Sequence, residues 1–444
     1  MAGAGPRVGL ITRLAARADV PVFPVVGVGG RAAARALSLL DGVRVVRHPR
    51  AAVLLVIVGR PTRALLAPML LLHDQLPTPR ATIWWPTVPG GEELVSVLGD
   101  VVVCRPFDGE ALRAVFADLL SGARSSDPPA LPDIEPAAWQ GIGPYGQGGS
   151  GMTGGNPYGR PLAGRAPDPD GLELDQLPLQ IGPIFPPLPP GLVLKLGVQG
   201  DVLNTVAVGG NPFTRWPGDP PLGPLESDLF HEAVLVPTPV ASLELARARH
   251  HLRWAAEALG LYGLHARGRQ VAALAEVLSN DSRASVAHIT TRLSGTRSLR
   301  AAMSGIGKIS AERTGASGGP VARASGFVAD ARAADPAYEG LGFEPITHDA
   351  GDAWARFQQR LAEAAQAMEL AESAGDRVRP NGLAVEGPRG PLTPGRPPPS
   401  TALMTLLPDL LAGHEWGDAM TAVVSLDLDL EEIAAAEAAA RAAP

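Results

Sequence analysis

Short β-rich runs and helical stretches alternate along the first 124 residues of the chain. Ala51–Val58 is a continuous apolar run, which is typical of a strand buried on both faces of a parallel sheet. The other strands predicted by the pattern are Val22–Val26, Val43–Val46, Ala81–Trp85 and Val101–Cys104. Helical periodicity lies between them at Arg31–Leu40, Arg63–Leu72 and Glu110–Leu120. The alternation predicts an α/β domain over 1–124 with an open, mostly parallel sheet.

Residues 125–170 have a different composition, dominated by Gly, Pro and small polar residues. Such a segment buries little apolar surface, so it is predicted to be a linker or a strap along the surface. Trp139, Tyr145 and Tyr158 lie within it, which indicates that parts of it pack against a folded domain.

The sequence pattern over residues 171–444 predicts a mainly α domain with a small β region at its beginning. An apolar alternation that includes Leu194 and Leu196 is followed by Gly200-Asp201 and a second alternation, which indicates a hairpin. The helical stretches that follow are 240–279, 352–375, 401–412 and 431–442. No internal repeat is present.

Composition and charge exclude several classes of protein. The 444 residues include 38 Lys and Arg against 45 Asp and Glu, a net charge of −7, so a basic nucleic-acid-binding footprint is absent. Cys104 is the single cysteine, which excludes an internal disulfide, a Cys-rich zinc site and an all-Cys iron–sulfur cluster. No apolar run approaches the roughly 18 residues of a membrane helix, so a cytoplasmic protein without a transmembrane segment is expected.

The Gly27-Val28-Gly29-Gly30 loop follows a predicted strand and opens a helix, the setting in which glycines bring a phosphate to a helix N-terminus. A third glycine and an acid at the end of the next strand are both missing. The sequence therefore favours a tight turn over a nucleotide site.

The histidines and serines indicate no catalytic site. The nine histidines show no metal-binding spacing, and the adjacent His250 and His251 point about 100° apart on a helix. Structural or solvated histidines are therefore expected, and no metal site is predicted. Ser304 lacks the preceding glycine of a nucleophile elbow, which argues against a hydrolase.

Charged residues in the second half of the chain form a candidate polar network of Arg323, Asp330, Arg332, Asp352 and Arg356. On one helix, Arg356, Arg360 and Glu363 share a face at i, i+4 and i+7, where Glu363 can pair with Arg360. Two interpretations remain open from spacing alone: an exposed ladder of ion pairs, worth little energy, or a functional site.

Residues 43–80 resemble the cluster-bearing small subunit of respiratory complex I and of the membrane-bound [NiFe] hydrogenases. The similar features are His48-Pro49-Arg50, the apolar strand ending at Gly59, Ala67-Pro68, and the Asp74–Arg80 stretch. That family binds a four-iron cluster through cysteines, and the resemblance places them at Gly29, Gly30, about Pro86, and Cys104. Three of the four thiols are missing, so the resemblance implies that this chain binds no cluster.

Residues 171–433 are similar to the neighbouring large subunit, which supplies the quinone pocket of complex I or the metal site of the hydrogenases. The strongest similarity includes Gly305-Ile306-Gly307 and Gly319–Gly326, and it continues through Asp330, Arg332 and Glu386–Gly390. Two departures affect the chemistry. The first hairpin loop, 182–190, carries no histidine, and no Cys-x-x-Cys pair is present.

The resemblance implies a non-catalytic, fused subunit of a complex-I-like or hydrogenase-like assembly, with no cofactor of its own. Its expected place is peripheral, on the inner face of the cytoplasmic membrane, beside antiporter-like membrane subunits and partners that hold iron–sulfur clusters and quinone. An alternative is a redox subunit of NADH–quinone oxidoreductase type, whose quinone or proton path is lined by Arg323, Asp330, Asp352 and Arg356. A third hypothesis is nucleotide binding at Gly27–Gly30.

Overall fold

The computed structural model describes residues 18–105, 108–135, 164–167, 172–216, 218–315 and 317–442. Trp139, Tyr145 and Tyr158, for which packing against a domain is predicted, lie outside the described residues.

A five-stranded parallel sheet forms the shorter, N-terminal part of the described chain, in the order β2-β1-β3-β4-β5. This part is called the N-terminal half below, and the longer part from Gly164 onward is called the C-terminal half. The α/β prediction is confirmed, and most predicted bounds agree within a few residues. The short helix α3 was not predicted from the pattern. The elements are β1 (Val20–Val26), α1 (Arg31–Leu39), β2 (Val43–Val45), β3 (Leu54–Val58), α2 (Arg63–Gln75), β4 (Ala81–Trp85), α3 (Glu92–Ser96), β5 (Val102–Val103) and α4 (Gly109–Ser121).

The central strand β3 is buried along its whole length, as its apolar run predicts. Its side chains alternate between two cores, because successive residues of a strand face opposite sides of the sheet. Leu54, Val56 and Val58 pack beneath α1 and α4. Leu55 and Ile57 face the other core, which contains α2 and the C-terminal half of the chain.

Both ends of the 125–170 segment belong to folded units. The buried Asp127 accepts a hydrogen bond of 2.7 Å from the backbone N–H of Thr82, at the start of β4. The N–H groups of Ala130 and Leu131 donate to the carboxylate of Asp74 at 2.8 Å. At the other end, Gly164–Pro167 forms a strand, β6. The predicted strap between these ends lies outside the described residues.

A four-stranded antiparallel sheet begins the second half, in the order β6-β7-β8-β9. The strands that follow β6 are β7 (Glu173–Ile181), β8 (Leu194–Gln199) and β9 (Val202–Val208). The predicted hairpin is present, and Gly200 and Asp201 form the turn between β8 and β9.

The rest of the described chain is mainly helical, also as predicted. Two helices of 22 residues each, α6 and α12, pack against one another and form the centre of this half. The remaining elements are α5 (Asp228–Leu235), β10 (Thr238–Pro239), α6 (Val240–Leu261), α7 (His265–Glu276), α8 (Arg283–Ser294), α9 (Arg297–Met303), α10 (Ala311–Thr314), α11 (Gly319–Arg323), α12 (Ala353–Ala374), β11 (Val378–Arg379), β12 (Val385–Glu386), β13 (Pro391–Leu392), α13 (Pro399–Leu411), α14 (Trp416–Leu426) and α15 (Leu430–Ala442).

One hydrophobic core joins the two halves. Phe23 and Ile57 of the parallel sheet belong to the same buried cluster as Leu194 of β8, Leu407 of α13 and Val423 of α14. The second face of the sheet is therefore covered by the C-terminal half as well as by α2. Within the described residues, no helix combines the length and hydrophobicity needed to cross a membrane.

Candidate functional site

The central helices α6 and α12 bury ionisable side chains on the faces they turn towards the rest of the molecule. Arg356, Arg360 and Glu363 of α12 are each 0% exposed, so the exposed ion-pair ladder considered from their spacing is wrong. Glu363 pairs with Arg323 of α11 instead of Arg360, while Arg360 lies 3.6 Å from Asp427. Burying charges is costly unless each is paired, so their partners define the candidate site.

Arg323 lies at the centre of a buried ionic network that contains seven charged residues and one tyrosine. Its Nε donates to Glu363 at 2.8 Å. Its Nη1 lies 2.7 Å from a carboxylate oxygen of Glu386 and 3.0 Å from one of Asp330. The whole set, called the central network below, is Glu244, Arg247, Arg323, Asp330, Arg332, Tyr338, Glu363 and Glu386.

Arg332 extends the central network to α6. Its guanidinium binds Asp330 at 2.8 and 3.0 Å and Glu244 at 3.2 Å. It also lies 4.3 Å from the centre of the Phe343 ring, a cation–π contact. The hydroxyl of Tyr338 donates to Glu244 at 2.6 Å. These contacts tie α6 to the irregular segment after α11.

The carboxyl groups of the central network differ in their pKa. Burial opposes ionisation of Glu363, but Arg323 and His251 hold its pKa well below the ordinary value. Burial raises the pKa of Glu386, and Asp330 adds to this, against the opposite effect of Arg323. Four carboxylates face three guanidinium groups in the network. Glu386 is therefore the carboxyl group best placed to hold a proton.

Asp352 and Arg356 do not join the central network, although the sequence grouped them with Arg323, Asp330 and Arg332. Asp352 caps α12: one oxygen accepts from the N–H of Ala355 at 2.8 Å and the other from the N–H of Gly305 at 2.7 Å. Arg356 donates to the carbonyls of Gly351 and Gly307 and to Ser425 Oγ, each at 2.8 Å. Burial lowers its pKa to about 9. These two side chains hold loops in place.

The adjacent histidines of α6 face different carboxylates. His250 Nε2 lies 2.7 Å from Asp427, and His251 Nε2 lies 3.3 Å from Glu363. Both rings are buried, and burial lowers the pKa of His250 well below its usual value and that of His251 to about 4. Both rings are therefore packed in their neutral form, each beside a buried carboxylate.

A second buried ionic cluster lies where the two halves of the chain meet. Arg31 of α1 reaches Asp429 at 3.3 Å and Asp427 at 3.6 Å. Arg389 approaches the same two carboxylates at 3.2 and 3.6 Å. Asp427 ends α14 with φ of +58°, the left-handed region that non-glycine residues rarely adopt. This cluster anchors α1, the first helix of the described residues, to the last turn of α14.

The Gly27–Gly30 loop is packed against its own protein backbone. A Cβ atom on Gly27 would lie 2.4 Å from the carbonyl oxygen of Arg60, and one on Gly30 would lie 2.2 Å from that of Val58. The glycines are therefore required by contact with the end of β3, which agrees with the tight turn favoured by the sequence.

A carboxylate from the other end of the chain occupies the helix terminus that this loop creates. The N–H of Gly29 donates to Glu431 Oε1 at 2.6 Å, at the start of α1, where the helix dipole attracts a negative group. Burial raises the pKa of Glu431 to about 7, and nearby Asp429 adds to the rise, against weaker lowering by Gly29, Arg31 and Arg60.

The positions that the resemblance assigns to cluster cysteines have other surroundings. Gly29 lies against Val88, whose methyl group would be 2.8 Å from a Cβ atom on Gly29. Cys104 is buried with the apolar layer beneath α1 and α4, and burial raises the pKa of its thiol. Val88 belongs to the core on the opposite face of the sheet. The described residues contain no group of three or more His, Cys, Asp or Glu placed to hold a metal.

Residues 269–394 match the family model of the 49 Kd subunit of respiratory-chain NADH dehydrogenase. The matched segment contains Arg323, Asp330, Arg332, Glu363 and Glu386 of the central network. Glu244 and Arg247 lie before it, on α6. The similarity to complex I is therefore supported for the large-subunit part of the chain.

Individual relatives, all subunits of NADH-quinone oxidoreductase, match shorter segments. One from Salinispora tropica is 42% identical over 69 residues, 15% of this chain and 16% of that protein. Another, from Mycobacteroides abscessus, is 36% identical over 70 residues, again 15% and 16%. The chain thus aligns with about one-sixth of the length of these relatives.

Among solved structures, the chain is similar to one in the membrane-bound sulfane sulfur reductase, an archaeal respiratory membrane complex. The TM-score is 0.45 with 18% identity, over 58% of this chain and 98% of that one.

Sequence reasoning did not identify several residues of these clusters. In the sequence, no local pattern distinguishes these residues from the exposed charged positions of amphipathic helices, because their partners lie far away along the chain. They are Glu244, Arg247, Arg31 and Glu431. The one local signal is the density of charge on α6, where Glu244, Arg247, Arg249, His250 and His251 fall within eight residues.

Proposed function

We propose that this chain is a subunit of a respiratory membrane assembly related to NADH-quinone oxidoreductase, and that its role there is structural. The match of residues 269–394 to the 49 Kd subunit family supports the assembly. The proposed location is peripheral, on the cytoplasmic face of the membrane. The proposed partners are cluster-bearing and antiporter-like membrane subunits, which supply the electron-transfer and ion-transport chemistry.

The observation that carries the structural role is the contact between Glu431 and the Gly29 loop. A four-iron cluster requires thiolates, and Cys104 is the only one that this chain can offer. A cysteine side chain at Gly30 would collide with the carbonyl of Val58, and the space beside Gly29 is filled by Val88 and Glu431. The residues present therefore do not fit a cluster, and we infer that this position serves to dock α15.

The same contact argues against a nucleotide at Gly27–Gly30. A phosphate at the start of α1 would compete with a carboxylate that the chain itself places there, and Asp429 adds a second negative charge nearby. The loop is better suited to joining the two halves of the chain than to holding a ligand.

The test is purification of the tagged full-length chain from its native membranes in mild detergent, followed by mass spectrometry and iron quantification. We expect membrane subunits to co-purify, with iron that remains with the partners when the chain is dissociated from them. Stoichiometric iron on the isolated chain would overturn the structural role. A chain that purifies without partners would overturn the assembly.

A second candidate function is favoured by the raised pKa of Glu386. A buried carboxyl group that takes up and releases a proton beside Arg323 is suited to a proton path coupled to a partner's redox centre. A Glu386→Gln variant within the purified assembly tests this. Loss of quinone reduction with a shifted pH profile, while the assembly stays intact, supports the proton path. Unchanged activity favours the structural role.

A further inference from the structure

A groove between α7 and α8 brings together polar side chains that have no partner. Arg267 and Gln270 lie about one turn apart on α7, and His288 and Arg292 lie about one turn apart on α8. All four are exposed and line the same cavity of about 310 Å³. These four side chains make no hydrogen bond or ion pair with any described residue.

The floor of this groove is aliphatic. Val271 and Leu293 are buried, each with 3% exposed, and Ala266 and Ile289 complete the wall. A rim of two guanidinium groups above an apolar floor fits a ligand with an anionic head and a hydrocarbon stem. Guanidinium groups bind phosphate oxygens in pairs, which favours a phosphate as the head.

The surroundings of the groove are also positive, although the chain as a whole carries a net charge of −7. Residues 265–313 contain eight Lys and Arg against three Asp and Glu. Arg297, Arg300 and Lys308 are exposed and have no acidic partner among the described residues. Two other cations of this stretch are neutralised: Arg283 by Glu369 and Glu372, and Arg313 by Asp409.

We propose that the groove binds the phosphate headgroup of an anionic phospholipid. The phosphate lies between Arg267 and Arg292, and the glycerol and first methylene groups contact the aliphatic floor. A free phosphate ion would leave that floor without a partner. The exposed, unpaired cations near the groove are Arg297, Arg300 and Lys308. Together with Arg267 and Arg292 they fit an extended anionic surface, such as a membrane, better than a single acidic side chain of a partner protein. The site does not depend on the function proposed above.

The experiment measures co-sedimentation of the full-length protein with vesicles of phosphatidylcholine alone or mixed with phosphatidylglycerol. We expect binding only to the mixed vesicles, weakening as salt is raised. Each cation close to an anionic membrane contributes modestly, so Arg267→Gln combined with Arg292→Gln should weaken binding roughly tenfold to thirtyfold. Both side chains are exposed, so the double variant is expected to keep the fold.

The matched control is Arg283→Gln combined with Arg313→Gln, which removes the same charge from the same stretch at positions that are already paired. This control should bind the mixed vesicles within about twofold of the wild type. Equal binding to phosphatidylcholine alone, or equal losses in both double variants, would overturn the site. Displacement by inorganic phosphate but not by chloride of equal ionic strength would reassign it to a soluble phosphate. Tight binding of polyglutamate, lost in the same variant, would reassign it to an acidic protein.

Discussion

Glu431 and Gly29 are 402 positions apart in the chain, and the carboxylate of the first accepts a 2.6 Å hydrogen bond from the backbone of the second. The contact joins the start of α15 to the start of α1. The sequence suggests a bound phosphate or cluster at this helix terminus. The carboxylate of Glu431 occupies the terminus instead.

The titration of Glu431 should make this contact sensitive to pH. Its pKa is about 7 in the folded chain, against an ordinary value near 4.5, so the folded state binds more protons between these values. Stability therefore falls as pH rises from about 4.5 to about 7, by up to roughly 3 kcal/mol, and then stays level. Glu431→Gln should remove this loss.

Hydrogen exchange of the α15 amides at pH 5 and pH 8 measures the effect. In the wild type, intrinsic-rate-corrected protection should be lower at pH 8, and the Gln variant should show a smaller difference. Asp429, Arg31 and Arg60 are the charged groups that surround Glu431, and all are retained in this variant. An identical pH trend in both proteins would show that another group titrates.

Glu363 and Glu386 both bind Arg323, yet their replacement by Gln should have different effects. The pKa of Glu363 is lower in the folded chain than in the unfolded chain, so its ionised form stabilises the fold. This stabilisation is complete when the pH is above the unfolded-state pKa and is lost as the pH falls below it. The raised pKa of Glu386 has the opposite sign, because its ionised form is the less stable one in the folded chain. At pH 7, Glu363→Gln should lower the melting temperature more than Glu386→Gln.

Melting of the two variants at pH 7 and at pH 4, which lies below the ordinary glutamate pKa near 4.5, provides the comparison. The deficit of Glu363→Gln should shrink towards the acid pH, and that of Glu386→Gln should grow or stay small. Equal deficits at both pH values would mean that packing volume rather than charge determines the outcome.

Asp352 should contribute through the cap of α12. Asp352→Ala removes acceptors for the N–H groups of Ala355 and Gly305, and loss of such a cap costs about 1–2 kcal/mol. Asp352→Asn keeps one acceptor oxygen, so its melting temperature should lie between those of the wild type and the Ala variant. Asn and Ala variants of equal stability would contradict the capping role.

Gly30→Ala should be costly because the added methyl group meets the backbone of Val58 at 2.2 Å, which the sheet cannot easily relieve. Overpacking of this kind costs about 1–3 kcal/mol. Gly210→Ala is the control, since no atom lies within 4 Å of the added carbon there. Chemical denaturation should separate the two variants clearly. Equal midpoints would show that the loop moves aside.

The sequence predicts the parallel sheet because local pattern and burial agree there: the apolar run of β3 is long, and both of its faces are covered. Prediction fails where a residue's environment depends on distant parts of the chain. Arg356, Arg360 and Glu363 have the spacing of exposed helix pairs, but α6 and the α14–α15 turn cover them. The strand Gly164–Pro167 was missed because its glycine and proline resemble a linker, whereas pairing with β7 determines its conformation.

The candidate site was predicted only in part for the same reason. Arg323, Asp330 and Arg332 were grouped correctly because they lie within ten residues of one another. Asp352 and Arg356 were added to that group by sequence proximity, but they bind loop backbone. Glu244 and Glu386 join the network from elements about 80 and 60 residues away from Arg323, a distance at which spacing carries no information.

The shared hydrophobic core has a consequence for how the molecule loses its structure. Phe23 and Ile57 belong to the same buried cluster as Leu407 and Val423, so neither half can open without exposing apolar surface of the other. Domains joined only by a linker melt in separate steps, each with its own heat-absorption peak. This chain is instead expected to melt cooperatively, as one calorimetric unit, despite its length.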